Sequence, residues 1–551
     1  MQLIGISGIW RLLVAFLVLV SALGWSAEAQ EDYDLLIALN QRVLDAERPA
    51  LSNGLPDHSP KAIAARYSEL ENIRTELLAF DTTDWPVAQR SDYLLVLTKL
   101  NKLVFQHKAT RPWARDPLFY IGQIATIPYA DVPTTDEARG DLRAQLERLP
   151  KRLQNAQDAL TEPVNILSRL AVFRLDNFDG VGFREPIRET PPEGIIGWYQ
   201  DLCERLEAAG EVTLLPACSD AAASVIGFRD WLSAEIPTMT ETGSVGTEHY
   251  DWYLKHVRLL PYSRDYLKAY GEREFHRYRY MNLVEQNKNK ELPELSLTQS
   301  GEEHIARTQA AEDKTRQLIE DQSLFTIPDY ASDYFETDVY WSERAKTDRH
   351  FWEEIQFRNA LNNHIHASFP GHRFDGLVTR NIENPIRRTH RESGRSEGWA
   401  TYLEELFILA GIADDEPRAK EIFYAALIKR GSRFAEIDMH AGDIAFEGVI
   451  DYMIDWVPYM EMDIGRFDVA GYVRRPSVGT MYLVGKMQIE TLASERAHQL
   501  GEAFDLGAFH DELLSKGQIP VSLIRWEMTG YDDEIAALWP EVTGTPFVAS
   551  D

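Results

Sequence analysis

The sequence predicts a mainly α protein, one large helical body that could divide into two lobes. Long stretches place Leu, Ile, Phe and Tyr three or four residues apart, with Glu, Lys and Arg between them. This period matches one face of an α-helix, whereas the alternating pattern of a half-buried strand is rare and short. The clearest helical stretches are residues 62–80, 91–105, 141–167, 253–288, 302–321 and 395–410.

Clusters of Pro, Gly and Thr separate these helices at residues 130–137, 184–195, 237–246 and 291–301. None of them has the composition of a flexible linker, and no internal repeat is visible. We therefore expect one domain over residues 30–551. Residues 30–300 would serve mainly as scaffold, and residues 330–540 would carry the chemistry.

The charge of the chain argues against two classes of partner. The 551 residues carry a formal net charge of −30. Nucleic-acid phosphates would be repelled by such a surface, so a nucleic-acid-binding protein is not expected. Docking on anionic lipid is disfavoured for the same reason.

The N-terminus has the features of a secretory signal peptide over residues 1–29. An apolar run covers residues 12–23, and Ala27 and Ala29 are the small residues that precede cleavage, expected after Ala29. The alternative is a membrane anchor, but the uncharged stretch is short and no basic cluster follows it. No second segment is long and apolar enough to span a bilayer, so we expect a periplasmic or secreted protein without stable membrane insertion.

The chain has two cysteines, Cys203 and Cys218. In an oxidising compartment they could form a disulfide, and the alternative is a pair of buried thiols. No cysteine lies near the expected cleavage site, which argues against a lipid anchor.

The distribution of the histidines indicates where a metal-binding or catalytic site would lie. Five of the 14 fall between residues 350 and 390, although an even spread would place about one there. Glu397 follows His372 by 25 residues, so two His and a later Glu have the outline of a His₂Glu zinc site. His366 and His372 are six residues apart, which is about 240° on an ideal helix and therefore the wrong face. The helix would have to bend at Pro370 and Gly371, and His364 is a rival ligand.

These residues resemble a bacterial family of zincin-like metallopeptidases that is catalogued as a domain of unknown function. Its members carry H-E-x-x-P-G-H-H-x-Q followed by E-G-W-A-x-Y, which fall here on residues 366–375 and 397–402. Further segments at 246–250, 438–440, 475–485 and 504–514 resemble other family motifs. The resemblance implies a helical, zincin-like fold with a deep central cleft, one zinc ion and hydrolysis of peptide-like amides.

On this resemblance, His366, His372 and Glu397 are the three metal ligands. Four polar positions of the family differ here: its catalytic Glu falls on Ala367, its second His on Arg373, and two Gln on Asp375 and Val478. In a site of this type the Glu takes a proton from the attacking water and passes it to the leaving amine, and alanine can do neither.

Three interpretations stay open from the sequence. The protein is a hydrolase of small peptide or amide-like substrates with a relocated base, for which Asp375 and Glu404 are candidates. Alternatively, it binds metal or peptide without turnover. A third possibility is an enzyme of another class, an acid–base lyase or isomerase in which His364, His366, Arg373 and Asp375 form the working group.

Further polar residues have candidate roles. Arg373 could clamp a substrate carboxylate or phosphate. Tyr482 could donate to a developing oxyanion, and His440 could approach the site from another helix. Each also has a structural explanation as a surface charge, a packed aromatic ring or a core histidine.

Overall fold

The computed structural model describes residues 27–177, 192–240, 242–331, 341, 348–544 and 547. The chain is mainly α, as predicted from its hydrophobic period. The predicted signal peptide lies almost wholly outside the described residues. Among the helices that are described, none is long and apolar enough to cross a membrane.

The first half of the chain contains α1 to α9 and one short hairpin. The helices are α1 (Ala27–Ala46), α2 (Pro60–Leu77), α3 (Val87–Phe105), α4 (Pro112–Arg115), α5 (Pro117–Ile124), α6 (Asp136–Ala159), α7 (Asn165–Asp176), α8 (Gly194–Ala208) and α9 (Leu215–Glu235). The hairpin pairs β1 (Leu51–Ser52) with β2 (Leu55–Pro56) in antiparallel register.

The second half supplies the helices that carry the predicted site. They are α10 (Gly246–His256), α11 (Arg264–Asn289), α12 (Gly301–Gln322), α13 (Phe351–Arg358), α14 (Ala360–Ala367), α15 (His372–Arg380), α16 (Pro385–Arg388), α17 (Ser393–Leu409), α18 (Ala419–Ser432), α19 (Ala435–Ala441), α20 (Phe446–Trp456), α21 (Met462–Arg474), α22 (Met481–Leu500), α23 (Leu506–Ser515), α24 (Val521–Thr529) and α25 (Asp533–Gly544).

Buried apolar side chains form two large clusters within the described residues. One runs from Trp113 to Leu232 and packs α5 to α9 together. The other joins α1 to α3 with the helices from α10 onward. The N-terminal helices therefore belong to the same core as the helices that carry the predicted site.

The predicted disulfide is confirmed. Cys203 on α8 is bonded to Cys218 on α9. Closing a loop of this length stabilises a fold by about 3 kcal/mol in the loop-entropy model. The bond joins two helices of the first cluster, far along the chain from the predicted site.

The contact between α17 and α22 depends on glycine at the crossing. A Cβ on Gly485 would lie 1.8 Å from the carbonyl oxygen of Gly394 and 2.9 Å from the Cα of Gly398. The two backbones therefore touch where no side chain fits. This contact fixes the helix that carries Glu397 against the helix that carries Tyr482.

We expect Gly485→Ala to lower the free energy of unfolding by several kcal/mol, because the added methyl group forces two buried backbones apart. Gly227→Ala is the matched control, since nothing lies within 4 Å of a Cβ at that helical position. The control should be neutral or stabilising by up to about 1 kcal/mol. Urea unfolding measures both, and equal stability of the two variants would contradict the close crossing.

Candidate metal centre

The two predicted histidine ligands lie on either side of a break between α14 and α15. His366 is the next-to-last residue of α14, and His372 is the first residue of α15. Their rings are nearly perpendicular, with centroids 4.8 Å apart. The expected bend at Pro370 and Gly371 is therefore present, in the form of a complete interruption of the helix.

Glycine is required inside this break. A Cβ on Gly371 would lie 1.9 Å from the carbonyl oxygen of His366 and 2.4 Å from that of Ile365. The chain after Pro370 thus folds back onto the end of α14. This close return places His372 beside His366 instead of on the opposite helix face.

The break is held against α17 by a buried hydrogen bond. The indole Nε1 of Trp399 donates to the carbonyl oxygen of Pro370 at 3.0 Å, and the Trp399 side chain is fully buried. Glu397 precedes Trp399 by two residues on the same helix. The bond therefore fixes the position of Glu397 relative to both histidines.

The donor atoms of His366, His372 and Glu397 all lie within 4.8 Å of one another. Oε2 of Glu397 is 3.2 Å from Nε2 of His372 and 3.5 Å from Nε2 of His366. The side chains keep part of their exposure, 11% for His366, 30% for His372 and 22% for Glu397. The three residues predicted as ligands thus meet in a place that solvent reaches.

Glu404 orients the first histidine. Its Oε1 lies 2.9 Å from Nδ1 of His366, so the ring directs Nε2 towards Glu397. The guanidinium of Arg430 donates to the same Oε1 at 3.2 Å, and both of these charged side chains are buried. Burial alone would raise the pKa of Glu404, but Arg430 and His366 lower it below the usual value. Glu404 is therefore a charged acceptor for the imidazole.

Ser396 and Glu397 together hold the second histidine. Nδ1 of His372 lies 3.1 Å from Oγ of Ser396, while Nε2 faces Glu397. Burial lowers the pKa of His372, but Glu397 outweighs it and the net shift is upward. Burial likewise raises the pKa of Glu397, yet the two histidines hold it well below its usual range. A positive charge is therefore favoured between these three groups.

Tyr482 lies at the edge of the site. Its ring is parallel to that of His366, with centroids 6.4 Å apart. The guanidinium groups of Arg433 and Arg430 lie 4.0 Å and 4.8 Å from the centroid of the Tyr482 ring. Burial raises the pKa of Tyr482, so its hydroxyl stays protonated as a donor.

Two other predicted site residues, His364 and Asp375, have partners of their own. Nε2 of His364 lies 2.7 Å from Oε2 of Glu312 on α12. Asp375 accepts hydrogen bonds from Arg395 at 3.2 Å and from Gln518 at 2.8 Å. These fully buried contacts do not bring His364 and Asp375 into one group with His366.

His440 has the contacts of a core histidine. Nε2 lies 3.1 Å from the carbonyl oxygen of Tyr472, and the backbone N–H of Val245 donates to Nδ1. Burial lowers the pKa of His440 to about 4, so the ring is neutral. Arg373, by contrast, is exposed on the first turn of α15, and Ala367 places a methyl group directly after His366.

Arg430 and Ser396 are site residues that the sequence did not single out. Ser396 directly precedes the predicted ligand Glu397 in the sequence. Arg430 comes from α18, and no spacing rule relates it to the histidines. The only available signal was the dense run of cations at residues 429–433 in an otherwise apolar helix.

Residues 336–528 match the family described as "Bacterial protein of unknown function (DUF885)". All the residues of the candidate metal centre fall in that stretch. Among proteins with curated descriptions, none matches the chain.

Two solved structures share the fold over nearly the whole chain. A "putative lipoprotein of unknown function" from Shewanella oneidensis is 16% identical with a TM-score of 0.64, covering 91% of this chain and 97% of its own. A "putative lipoprotein" from Colwellia psychrerythraea is 14% identical with a TM-score of 0.66, covering 92% of this chain and 100% of its own. At these identities the similarity shows the fold alone.

We expect Glu404→Gln to weaken zinc binding roughly 10- to 100-fold, because the ring of His366 loses its charged acceptor. Competition with a chromophoric chelator measures the affinity. Glu405→Gln is the control, since that buried neighbour pairs with Arg277 and Lys486 instead. An equal loss of affinity in both variants would show that general destabilisation, and not the orientation of His366, is responsible.

Proposed function

We propose that this protein is an exported, metal-dependent hydrolase of peptide-like amide bonds with a divergent active site. His366, His372 and Glu397 would hold one zinc ion. The observation that carries the proposal is the convergence of two imidazole nitrogens and one carboxylate oxygen within 4.8 Å.

The donor set fits zinc in type, and the two contacts of Glu397 fit it in spacing. Two His and one Glu form a common catalytic zinc set that leaves a coordination position open. Ligand bonds of about 2.1 Å in a tetrahedral arrangement separate neighbouring donor atoms by about 3.4 Å. The two contacts of Glu397, at 3.2 and 3.5 Å, agree with that separation. Glu404 also supplies the carboxylate that metal-ligating histidines normally have behind them.

A zinc ion at this site would polarise a substrate carbonyl and activate water. The chain's own residues would orient and stabilise the reacting groups. The Tyr482 hydroxyl and the Arg430 guanidinium supply a protonated donor and a positive charge beside His366. Such groups stabilise an oxygen on which negative charge develops.

The general base is the least complete part of the proposed active site. Ala367 occupies the position at which the resembled family has its Glu. The candidate replacements are engaged, since Glu404 bonds His366 and Arg430, and Asp375 bonds Arg395 and Gln518. Loss of such a base costs roughly 10²–10⁴ in rate. Because Glu404 and Asp375 are already engaged by other side chains, the site also favours a second candidate function, metal-dependent peptide binding without turnover.

Export is part of the proposal. Two proteins that share the fold are each described as a "putative lipoprotein", and the N-terminal residues of this chain have the features of a signal peptide. Both cysteines of this chain are joined to each other, so neither is free to carry a lipid. We therefore propose a periplasmic or secreted protein.

We expect the zinc-loaded protein to cleave peptides slowly and the chelated protein not to cleave them. Mass spectrometry of a defined peptide mixture detects the products. Glu397→Ala should abolish both zinc binding and cleavage, whereas Glu383→Ala, which removes an exposed carboxylate elsewhere, should preserve both. Zinc binding without cleavage would exclude the hydrolase and support the binding function.

Ala367→Glu should raise peptide turnover by roughly 10²-fold or more, since it restores a carboxylate beside His366. Ala367→Gln is the matched control, because it adds similar bulk without a base. An increase in both variants would mean that pocket shape and not proton transfer limits the rate. No increase in Ala367→Glu with zinc bound would contradict the interpretation as a peptidase that has lost its base.

A further inference from the structure

A group of cations lies on α3 and at the ends of α15 and α16, on other helices than those that carry Tyr482 and Arg430. Lys99 and Lys102 are one turn apart on α3, and three arginines come from the ends and the connections of α15 and α16. We call these five residues the basic cluster: Lys99, Lys102, Arg380, Arg388 and Arg391. The chain as a whole is strongly acidic, so this local charge is the reverse of the average.

Lys99 is the buried member of the basic cluster. It is 8% exposed, and its Nζ donates to Oδ1 of Asn40 at 2.9 Å and to Oγ1 of Thr389 at 3.1 Å. Both acceptors are neutral. Buried lysines are rare unless they are paired with a carboxylate. Burial lowers the pKa of Lys99 to about 8, although Glu47 and Asp92 act to raise it.

The hydrogen bond from Lys99 to Thr389 places Lys99 beside the segment that carries Arg388 and Arg391. Arg391 follows two residues later, and its Nη1 donates only to the backbone carbonyls of Arg388 and His390. Burial and the neighbouring Arg380 both lower the pKa of Arg391. Arg380 thus lies near enough to Arg391 to act on it electrostatically, and Arg380, Arg388 and Arg391 are not bonded to carboxylates within the described residues.

His390 lies beneath the basic cluster. It is 6% exposed, and its Nδ1 has no hydrogen-bond partner among the described residues. Burial lowers its pKa well below the usual value, and Lys99, Lys102 and Arg391 lower it further. A buried ring nitrogen without a hydrogen-bond partner, next to several cations that are not paired with carboxylates, marks a place where a polar partner is missing.

The nearby carboxylates do not balance this charge. Asp92 is bonded to Arg387, and Asp375 is bonded to Arg395. Glu47 acts on Lys99 from an exposed position after the end of α1. An external anion would therefore find several unpaired donors here.

We propose that the basic cluster binds a phosphate group. Several guanidinium groups and an ammonium suit an anion with two charges and several acceptor oxygens better than a single carboxylate. The phosphate could be free or could belong to a phospholipid headgroup, and the chemistry of recognition is the same. This site is separate from the donor atoms of His366, His372 and Glu397, and it does not depend on the proposed hydrolase activity.

Calorimetric titration with inorganic pyrophosphate, at fixed ionic strength, tests the site. The wild-type protein should bind it, and Arg391→Gln should weaken binding by at least about tenfold through the loss of a charge-assisted hydrogen bond. Arg466→Gln removes a surface arginine that is paired with Asp463, and it should change the affinity by less than about twofold. Glu397→Ala should leave pyrophosphate binding unchanged, which separates this site from the metal centre.

Vesicles distinguish the two sources of phosphate. If phosphatidylglycerol vesicles bind the wild-type protein but not the double variant Arg388→Gln, Arg391→Gln, the ligand is a lipid headgroup. If only pyrophosphate binds, the ligand is a free phosphate compound. The melting temperature of Arg391→Gln without ligand should be no lower than that of the wild type, because a like charge is removed. The proposal is overturned if neither probe binds, or if binding survives in the double variant.

Discussion

The hydrogen bond from Trp399 to the carbonyl oxygen of Pro370 is the contact on which the candidate site depends. It fastens the break between α14 and α15 to α17, and these three helices carry the three donor residues. It acts together with the Glu404–His366 and Ser396–His372 contacts, which join the same helices and set the distance of Glu397 from the two histidines. Since the bond is buried, its loss would leave an unpaired indole N–H and carbonyl in the core.

Close backbone contacts also hold the neighbouring helices of the site in place. Gly371 lets the chain return onto the end of α14, and Gly398 and Gly485 let α17 and α22 touch. Glu404 lies about two helical turns beyond Glu397 on the same face of α17, and from there it contacts His366. The site is therefore held by rigid helices and by a few positions at which a side chain would not fit. Such a scaffold can keep its geometry while polar residues within it change.

The sequence allowed the helical class, the disulfide and the need for a bend at Pro370–Gly371 to be predicted, because each follows from local pattern or chain chemistry. It also suggested His366, His372 and Glu397, through motif resemblance, before their side chains could be located. It did not reveal that His364 contacts Glu312 and that Asp375 accepts a hydrogen bond from Arg395, because each contact joins residues on different helices. Arg430 was missed for the same reason. Whether a polar residue near a motif is free to act depends on tertiary partners that spacing does not encode.

The most direct test of the account is a crystal structure of the purified protein with diffraction data collected on both sides of the zinc absorption edge. We predict one anomalous peak within about 2.0–2.2 Å of Nε2 of His366, Nε2 of His372 and a carboxylate oxygen of Glu397. Zinc-containing crystals with no peak between these three residues, or with zinc ligated elsewhere, would contradict the assignment of the metal centre.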